Sequence, residues 1–477
     1  VRTLLRGGGV IAFDGTQHVH LRRGDVVFCG DRIEYAGPAW ADRADAPVHQ
    51  IIDTSGKLVT PGFVNMHLHV TDTAFTRGWL DDYGASAATG AASNVTALYT
   101  LLPAIRAAAM AEDQLAAAEC AFSELLLSGS TTVVELGFDA EMGDRGDMAT
   151  PRAVGNAAGR LGLRCYLAPR YRSRYWKMGA NGAPAYFPYE GDGLPRMRAC
   201  VELLADIDGT HEGRLRAMLA PGQVDTCEPA LLRATRQVAD ETGYPVQLHA
   251  GQSPSEFRRI RQQHGCTTLE YVDRTGLLGR DLVLGHSMFF SESGDVDDCH
   301  AAELERLRDS GAHLCHLPWV KARQGTTMRS FAKYRRLGIP VCLGTDTYPF
   351  DMFNEMRMAA ALCRVAEGSP QAVSAAEIFH AATVSGAQAL QRPDLGRLAA
   401  GCQADIVLVD VSKPHAVPLR DGIQHLVLSA CAADVDTVFV AGRLVVQRRE
   451  LAHGNLVDAV ARLAEAGERV HARVRVE

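Results

Sequence analysis

Residues 58–69 read Leu58-Val59-Thr60-Pro61-Gly62-Phe63-Val64-Asn65-Met66-His67-Leu68-His69, an apolar run that ends on two histidines one residue apart. In an extended strand, side chains at i and i+2 share a face, so His67 and His69 project together while Leu68 turns away. Neutral imidazole suits a divalent transition metal, and two imidazoles one strand step apart can share one ion. Three later residues end short apolar runs in the same way. His249 closes Pro245-Val246-Gln247-Leu248-His249, His286 closes Leu282-Val283-Leu284-Gly285-His286, and Asp346 closes Val341-Cys342-Leu343-Gly344-Thr345-Asp346.

The chain between these points alternates. Helical stretches rich in Ala, Leu, Glu and Arg are expected at 112–128, 150–161, 194–206, 228–242, 300–310, 327–337 and 374–390. Short β-type runs separate them at 131–135, 164–167, 215–219, 246–248, 282–284, 313–315 and 341–343. With the run before His67 there are eight, and eight strands alternating with helices predict an α/β fold, a (β/α)8 TIM barrel. A doubly wound open sheet would need a glycine-rich phosphate loop after an early strand, and none is present.

The two chain ends differ from the middle. Gly9–Phe13, Val26–Cys29 and Arg32–Ala36 read as short strands near the start, with Asp14-Gly15 and Gly30-Asp31 as turns. Asp405–Asp410 and a hairpin over 435–446 give the far end the same texture. Two or three short strands bury too little to stand alone, so the ends are expected to pair into one small β-sandwich. The expected organisation is 1–60 as the N-terminal part of that sandwich, 61–400 as the barrel, and 401–477 as the remaining part with a closing amphipathic helix over 455–469.

With 47% apolar and 22% charged residues among 477, the composition is that of an ordinary globular protein. A net charge of -7 gives no reason to expect nucleic acid or a membrane surface as a partner. No apolar stretch is long enough to span a bilayer, and Val1-Arg2-Thr3-Leu4-Leu5-Arg6 lacks the apolar core of a signal peptide, so a cytoplasmic location is expected. The 12 cysteines show no C-x-x-C spacing and read as buried free thiols.

On a barrel frame, His67, His69, His249, His286 and Asp346 all fall at the C-terminal ends of strands, the face where catalytic groups gather. Three imidazoles and a carboxylate leave room for water on a zinc-like ion, the open arrangement of a catalytic site. Such an ion lowers the pKa of its water to about 7 in favourable cases, and Asp346 is placed to accept the proton. Taken singly, each residue has a plainer reading: histidines beside a turn, or Asp346 as the N-cap of the next helix.

Thr60–His69, the ordered His249, His286 and Asp346, and the closing Gly401-Cys402-Gln403-Ala404-Asp405-Ile406-Val407 together resemble the amidohydrolase superfamily, nearest its triazine hydrolases and cytosine- or guanine-type deaminases. The resemblance covers nearly the whole chain. It implies a metal-dependent barrel with His67, His69, His249 and Asp346 as ligands to one divalent ion, zinc first and iron, manganese or cobalt as alternatives. It also implies that His286 binds the reacting group or the water.

Two departures stand out. In the deaminase branch a glutamate three residues after the fifth-strand histidine shuttles protons, whereas here the segment is His249-Ala250-Gly251-Gln252. An amide orients by hydrogen bonding but has no comparable proton to exchange. Glu256 substitutes only if the loop folds back. The segment Leu219–Asp225 also lacks a substrate-facing histidine and a lysine that could bridge two metals. These departures lead to the expectation of a hydrolase cleaving an amide, urea, carbamate or thiocarbamate bond of a small neutral molecule, as molinate and phenylurea hydrolases do. The alternative is an aminohydrolase or dehalogenase acting on a nitrogen heterocycle such as a triazine, purine or pyrimidine. Gln252 and Trp319 are the expected substrate-binding residues, with Asp346 and His286 catalytic. Glu135, ending the second β-run, could approach the site, with a surface or packing role as the default. Arg170, Arg172 and Arg174 could line the pocket, with a solvated loop as the default for most; His380 and His415 are expected to be structural. By analogy with the superfamily the chain is expected to form a homo-oligomer.

Overall fold

The computed structural model describes residues 1–41, 47–79, 97–137, 148–179 and 184–475. Its centre is two four-stranded parallel sheets. One holds Phe63–Leu68, Ser130–Glu135, Arg164–Leu167 and Leu215–Ala217; the other holds Val246–Ala250, Leu282–His286, His313–His316 and Val341–Leu343. Parallel bridges Leu219–Val246 and Leu68–Asp346 join the two sheets at both edges, so the eight strands close into a barrel. At the second seam Asn65 donates from Nδ2 to Thr345 Oγ1 at 2.9 Å and accepts from the Thr345 N–H at 3.1 Å, tying the first strand to the last.

Alternation along the strands divides the core. Val64, Met66, Val134, Met218, Val283 and Cys342 pack together in one cluster, while Phe63, Leu68, Leu248, Leu284 and Leu343 belong to a second that includes the surrounding helices. Helices at Ala111–Leu127, Ala149–Leu161, Leu194–Ile207, Pro229–Thr242 and Ala301–Ser310 lie close to the expected stretches. The expected helix over 327–337 shortens to Phe331–Arg336, and that over 374–390 breaks at Thr383 into Ala375–Ala381 and Val384–Ala389. Helices at Pro254–His264 and Met352–Glu367 were not expected. The second carries a helical repeat in Met352, Phe353, Met356, Ala359, Ala360 and Cys363, all buried. Asp351 caps it by accepting from the Phe353 and Asn354 N–H groups, so the N-cap role open to Asp346 falls to another residue.

Strands from both chain ends share one seven-stranded sheet, which contains Gly9–Phe13, His18–Leu21, Lys57–Pro61, Ile406–Asp410, Val435–Val440, Arg443–Gln447 and Glu450–Leu451. A four-stranded sheet of Arg2–Arg6, Asp25–Cys29, Arg32–Gly37 and Gln50–Asp53 accompanies it. The closing helix runs Leu456–Arg473 and packs on Ala111–Leu127. All 12 cysteines are free. No described helix is long and apolar enough to cross a membrane.

A buried ion pair fastens the small sheets to the barrel: Arg164, opening the third strand, meets Asp405 at 3.1 Å and Gln403 at 2.9 Å. Removing one partner of a buried pair leaves an uncompensated charge, which costs about 3–5 kcal/mol. Asp405→Ala should therefore lower stability by about that amount, read as a shift of the urea midpoint; an unchanged midpoint would remove this pair as a fastening point.

Candidate metal centre and active site

The residues singled out at the strand ends meet at the barrel mouth. Ligand atoms of His67, His249 and His286 lie within 4.8 Å of one another, as do those of His67, His69 and Asp346. Nε2 of His69 is 3.4 Å from Nε2 of His249 and 3.5 Å from Oδ1 of Asp346. Nε2 of His67 is 3.9 Å from the same carboxylate oxygen, and Nδ1 of His286 is 4.0 Å from the other.

Strand alternation alone does not bring them together. His286 shares the parity of Leu282 and Leu284, which pack toward the helices, yet its ring lies 5.3 Å from that of His67. Left-handed backbone at His286 (φ 72°) and Ser287 (φ 53°) redirects it, and Asp346 is also left-handed (φ 60°). Non-glycine residues in this region are strained, and such strain gathers at functional sites. The first strand breaks its register with its neighbour between Asn65 and Leu68, and the His67 and His69 rings stand perpendicular, 5.3 Å apart. Glycines make the room: a Cβ on Gly285 would lie 2.8 Å from Cε1 of His67, and one on Gly344 2.9 Å from the His67 Cβ.

The tautomers are set from behind. Nδ1 of His69 faces the Leu136 carbonyl at 2.7 Å and Nδ1 of His249 faces the Gly222 carbonyl at 2.8 Å. Each Nδ1–H donates outward, which leaves the Nε2 lone pairs facing the centre. Both ring nitrogens of His67 and of His286 are buried without a hydrogen-bond partner. Burial holds the His67 imidazole down to about 3 and pushes His69, His249 and His286 well below the usual range, so all four are neutral, as metal ligands must be. Burial pushes Asp346 up to about 6 against the opposing pull of Lys321 and Arg323. Unpartnered buried imidazole nitrogens around one carboxylate are costly unless a cation satisfies them, so the donor set fits a divalent metal ion.

Around this centre several expectations need correcting. Glu135 is fully buried, which leaves the packing role or the site and excludes the surface; one oxygen accepts the Val70 N–H at 3.0 Å and burial raises its pKa. Arg170 and Arg172 are buried as well, while Arg174 is half-buried on Glu228. Gln252 does face a polar partner: its Oε1 accepts from Nε2 of Gln223. The loop does fold back over Glu256, whose buried carboxylate accepts the Gly251 N–H at 2.6 Å and the Gln252 N–H at 3.2 Å. That carboxylate is spent on backbone. Trp319 is half-buried in the first turn of Pro318–Arg323, with the Arg323 guanidinium 6.0 Å from its ring. Lys321 on the same helix is buried, and its charge acts on Asp346 and His286. Its sequence signal was position alone, in the loop after a barrel strand. His415 pairs with Asp434 at 2.9 Å, outside this cluster.

Comparison with known proteins agrees with this architecture. The profile of the Amidohydrolase family matches residues 58–445. The 5-methylthioadenosine/S-adenosylhomocysteine deaminase of Desulforudis audaxviator is 28% identical over 456 residues, covering 94% of this chain and 95% of that protein. The 5'-deoxyadenosine deaminase of Methanothermobacter thermautotrophicus is 29% identical over 444 residues, with 90% and 91% covered. Among solved structures, an adenosine deaminase from Xanthomonas campestris with bound zinc aligns with a TM-score of 0.81 at 24% identity, covering 98% of each chain. Atrazine chlorohydrolase from Arthrobacter aurescens complexed with zinc aligns with a TM-score of 0.83 at 23% identity, over 98% of this chain and 100% of that one. The chain belongs to the Amidohydrolase family and is a hydrolase.

The purified protein should bind about one equivalent of divalent metal, and His249→Ala should reduce this below about half an equivalent with little change in circular dichroism. Elemental analysis after dialysis checks both; full occupancy in the variant would remove His249 from the donor set.

Proposed function

We propose that this amidohydrolase performs hydrolytic displacement at a ring carbon of a nitrogen heterocycle, with deamination of an adenine-bearing nucleoside as the leading case. The convergence of His67, His69, His249, His286 and Asp346 on one point carries the hydrolytic part of this reading. Similarity over nearly the full length to deaminases of adenine nucleosides supports the heterocycle part. That similarity favours the aminohydrolase alternative over the amide, urea or thiocarbamate cleavage expected from Gln252 alone. Zinc is the proposed ion, as in the bound relatives.

His67, His69, His249 and Asp346 would hold the ion, which when bound would supply the Lewis acidity that makes water a nucleophile near neutral pH. The protein does the rest. Asp346 takes the proton of the attacking water and returns it to the departing amine. His286, 4.0 Å from Asp346, donates to or accepts from the oxygen that enters. Gln252, paired with Gln223, holds the ring by hydrogen bonds and gives up no proton. Burial of this cluster keeps bulk water from competing for those bonds.

One observation favours a second reading. With an amide at position 252 the site has less acid to offer a poor leaving group, which suits amides and carbamates. A panel of adenosine, 5'-methylthioadenosine, guanine, cytosine, chlorotriazines, phenylureas and thiocarbamates separates the two. Ammonia release from the nucleosides at the highest kcat/KM is the expected result; turnover confined to the ureas and thiocarbamates would establish the second reading instead. Asp346→Asn should lower kcat by at least about 100-fold on any substrate while the thermal midpoint holds, and wild-type turnover in that variant would take the proton role away from Asp346.

A further inference from the structure

Lys321 is the only buried lysine among the described residues. An ammonium carries three donors, and burial without partners is costly. Here Nζ makes one long hydrogen bond, 3.4 Å to Oε1 of Gln324, and no ion pair with a described carboxylate. The side chain rises from Pro318–Arg323, the helix that follows the seventh barrel strand, and so belongs to the same mouth as the histidine cluster. After burial, its charge is the largest influence on both Asp346 and His286, and it also reaches Glu256 below the Gln252 loop. Lys321 therefore shares the barrel mouth with the proton acceptor, and with the loop after the fifth strand where the chain has an amide in place of an acid.

We propose that Lys321 is a catalytic proton donor, giving the ring nitrogen beside the attacked carbon the proton that Gln252 has none to give. This assignment rests on the heterocycle reading above. Water adds through its oxygen to the ring carbon, its proton passes to Asp346, and the Lys321 ammonium protonates the ring nitrogen as the C=N bond becomes single. The carbon is then tetrahedral, bearing hydroxyl and amine. The C–N bond to the amine breaks as Asp346 returns its proton, ammonia leaves, and the hydroxyl proton passes to the Lys321 amine as the carbonyl forms. The sum is substrate plus water giving lactam plus ammonia, with Lys321 again an ammonium. Burial pushes the Lys321 ammonium below its ordinary value of 10.5, which eases the transfer, while Asp346 and Glu256 oppose that shift. Neither Arg nor Met can perform the step, since a guanidinium does not release its proton and a thioether has none.

The experiment uses the zinc-loaded full chain with adenosine and 5'-methylthioadenosine as substrates and inosine as a product probe. Lys321→Met and Lys321→Arg should each lower kcat by about 100-fold or more with zinc content and thermal midpoint unchanged. By calorimetry, Lys321→Arg should bind inosine within about threefold of wild type and Lys321→Met at least about tenfold more weakly, as expected for loss of a charged hydrogen bond. Adding Gln252→Glu to Lys321→Met should recover at least about tenfold in kcat, because a carboxylic acid then stands where the amide was. If Lys321→Met does not fold, Lys321→Arg, which keeps the charge and the stem, decides. Wild-type kcat in Lys321→Arg, or no recovery in the double variant, would overturn the proton transfer while leaving the heterocycle reading in place. A wild-type protein that releases no ammonia from any heterocycle overturns both.

Discussion

The constraint on which this molecule turns is the burial of four imidazoles with nowhere to send their lone pairs except toward each other and Asp346. A buried polar nitrogen without a partner costs on the order of 1–3 kcal/mol. His67 and His286 each carry two. A protein does not keep that arrangement for stability alone, and one cation at the centre would take a nitrogen of His67 together with the inward lone pairs of His69 and His249. The backbone carbonyls of Leu136 and Gly222 fix the His69 and His249 tautomers before any ion arrives, so the site is preorganised for metal.

Much of the surrounding structure answers to that cluster. The left-handed residues His286, Ser287 and Asp346 are strained in the positions where strand geometry would send the donors elsewhere. Gly285 and Gly344 are bare because any Cβ there would press on His67. The Asn65–Thr345 pair locks the seam beside Asp346, and the backbone of Asp346 exchanges hydrogen bonds with His67 and His69 at 2.8 and 2.9 Å. Barrel closure and donor convergence are one event: the last strand cannot pair with the first without bringing Asp346 to the two histidines.

The barrel was legible because its strands are short apolar runs separated by helices of clear period, and the ligand candidates because each ends such a run. The small strands Arg2–Arg6 and Gln50–Asp53 were not, since each is stabilised by a neighbour remote in sequence and the second is largely exposed. The helix Pro254–His264 escaped notice because it is almost wholly polar and buries only Glu256, Phe257 and Ile260. The solvated loop expected for Arg170 and Arg172 is wrong because charge in a sequence ordinarily signals solvent, and only packing reveals where it does not; it also decides between the surface and packing roles open to Glu135.

The sequence by itself determined the barrel, the histidines and aspartate that end its strands, and the amide at position 252, because hydrophobic period and residue chemistry are local properties. The tertiary structure decided which nitrogens face one another, that Glu256 is committed to backbone amides, and that Lys321 lies within electrostatic reach of Asp346. Those relations depend on turns with positive φ and on contacts between residues tens to hundreds of positions apart. No periodicity encodes such contacts; they exist only once the chain has closed.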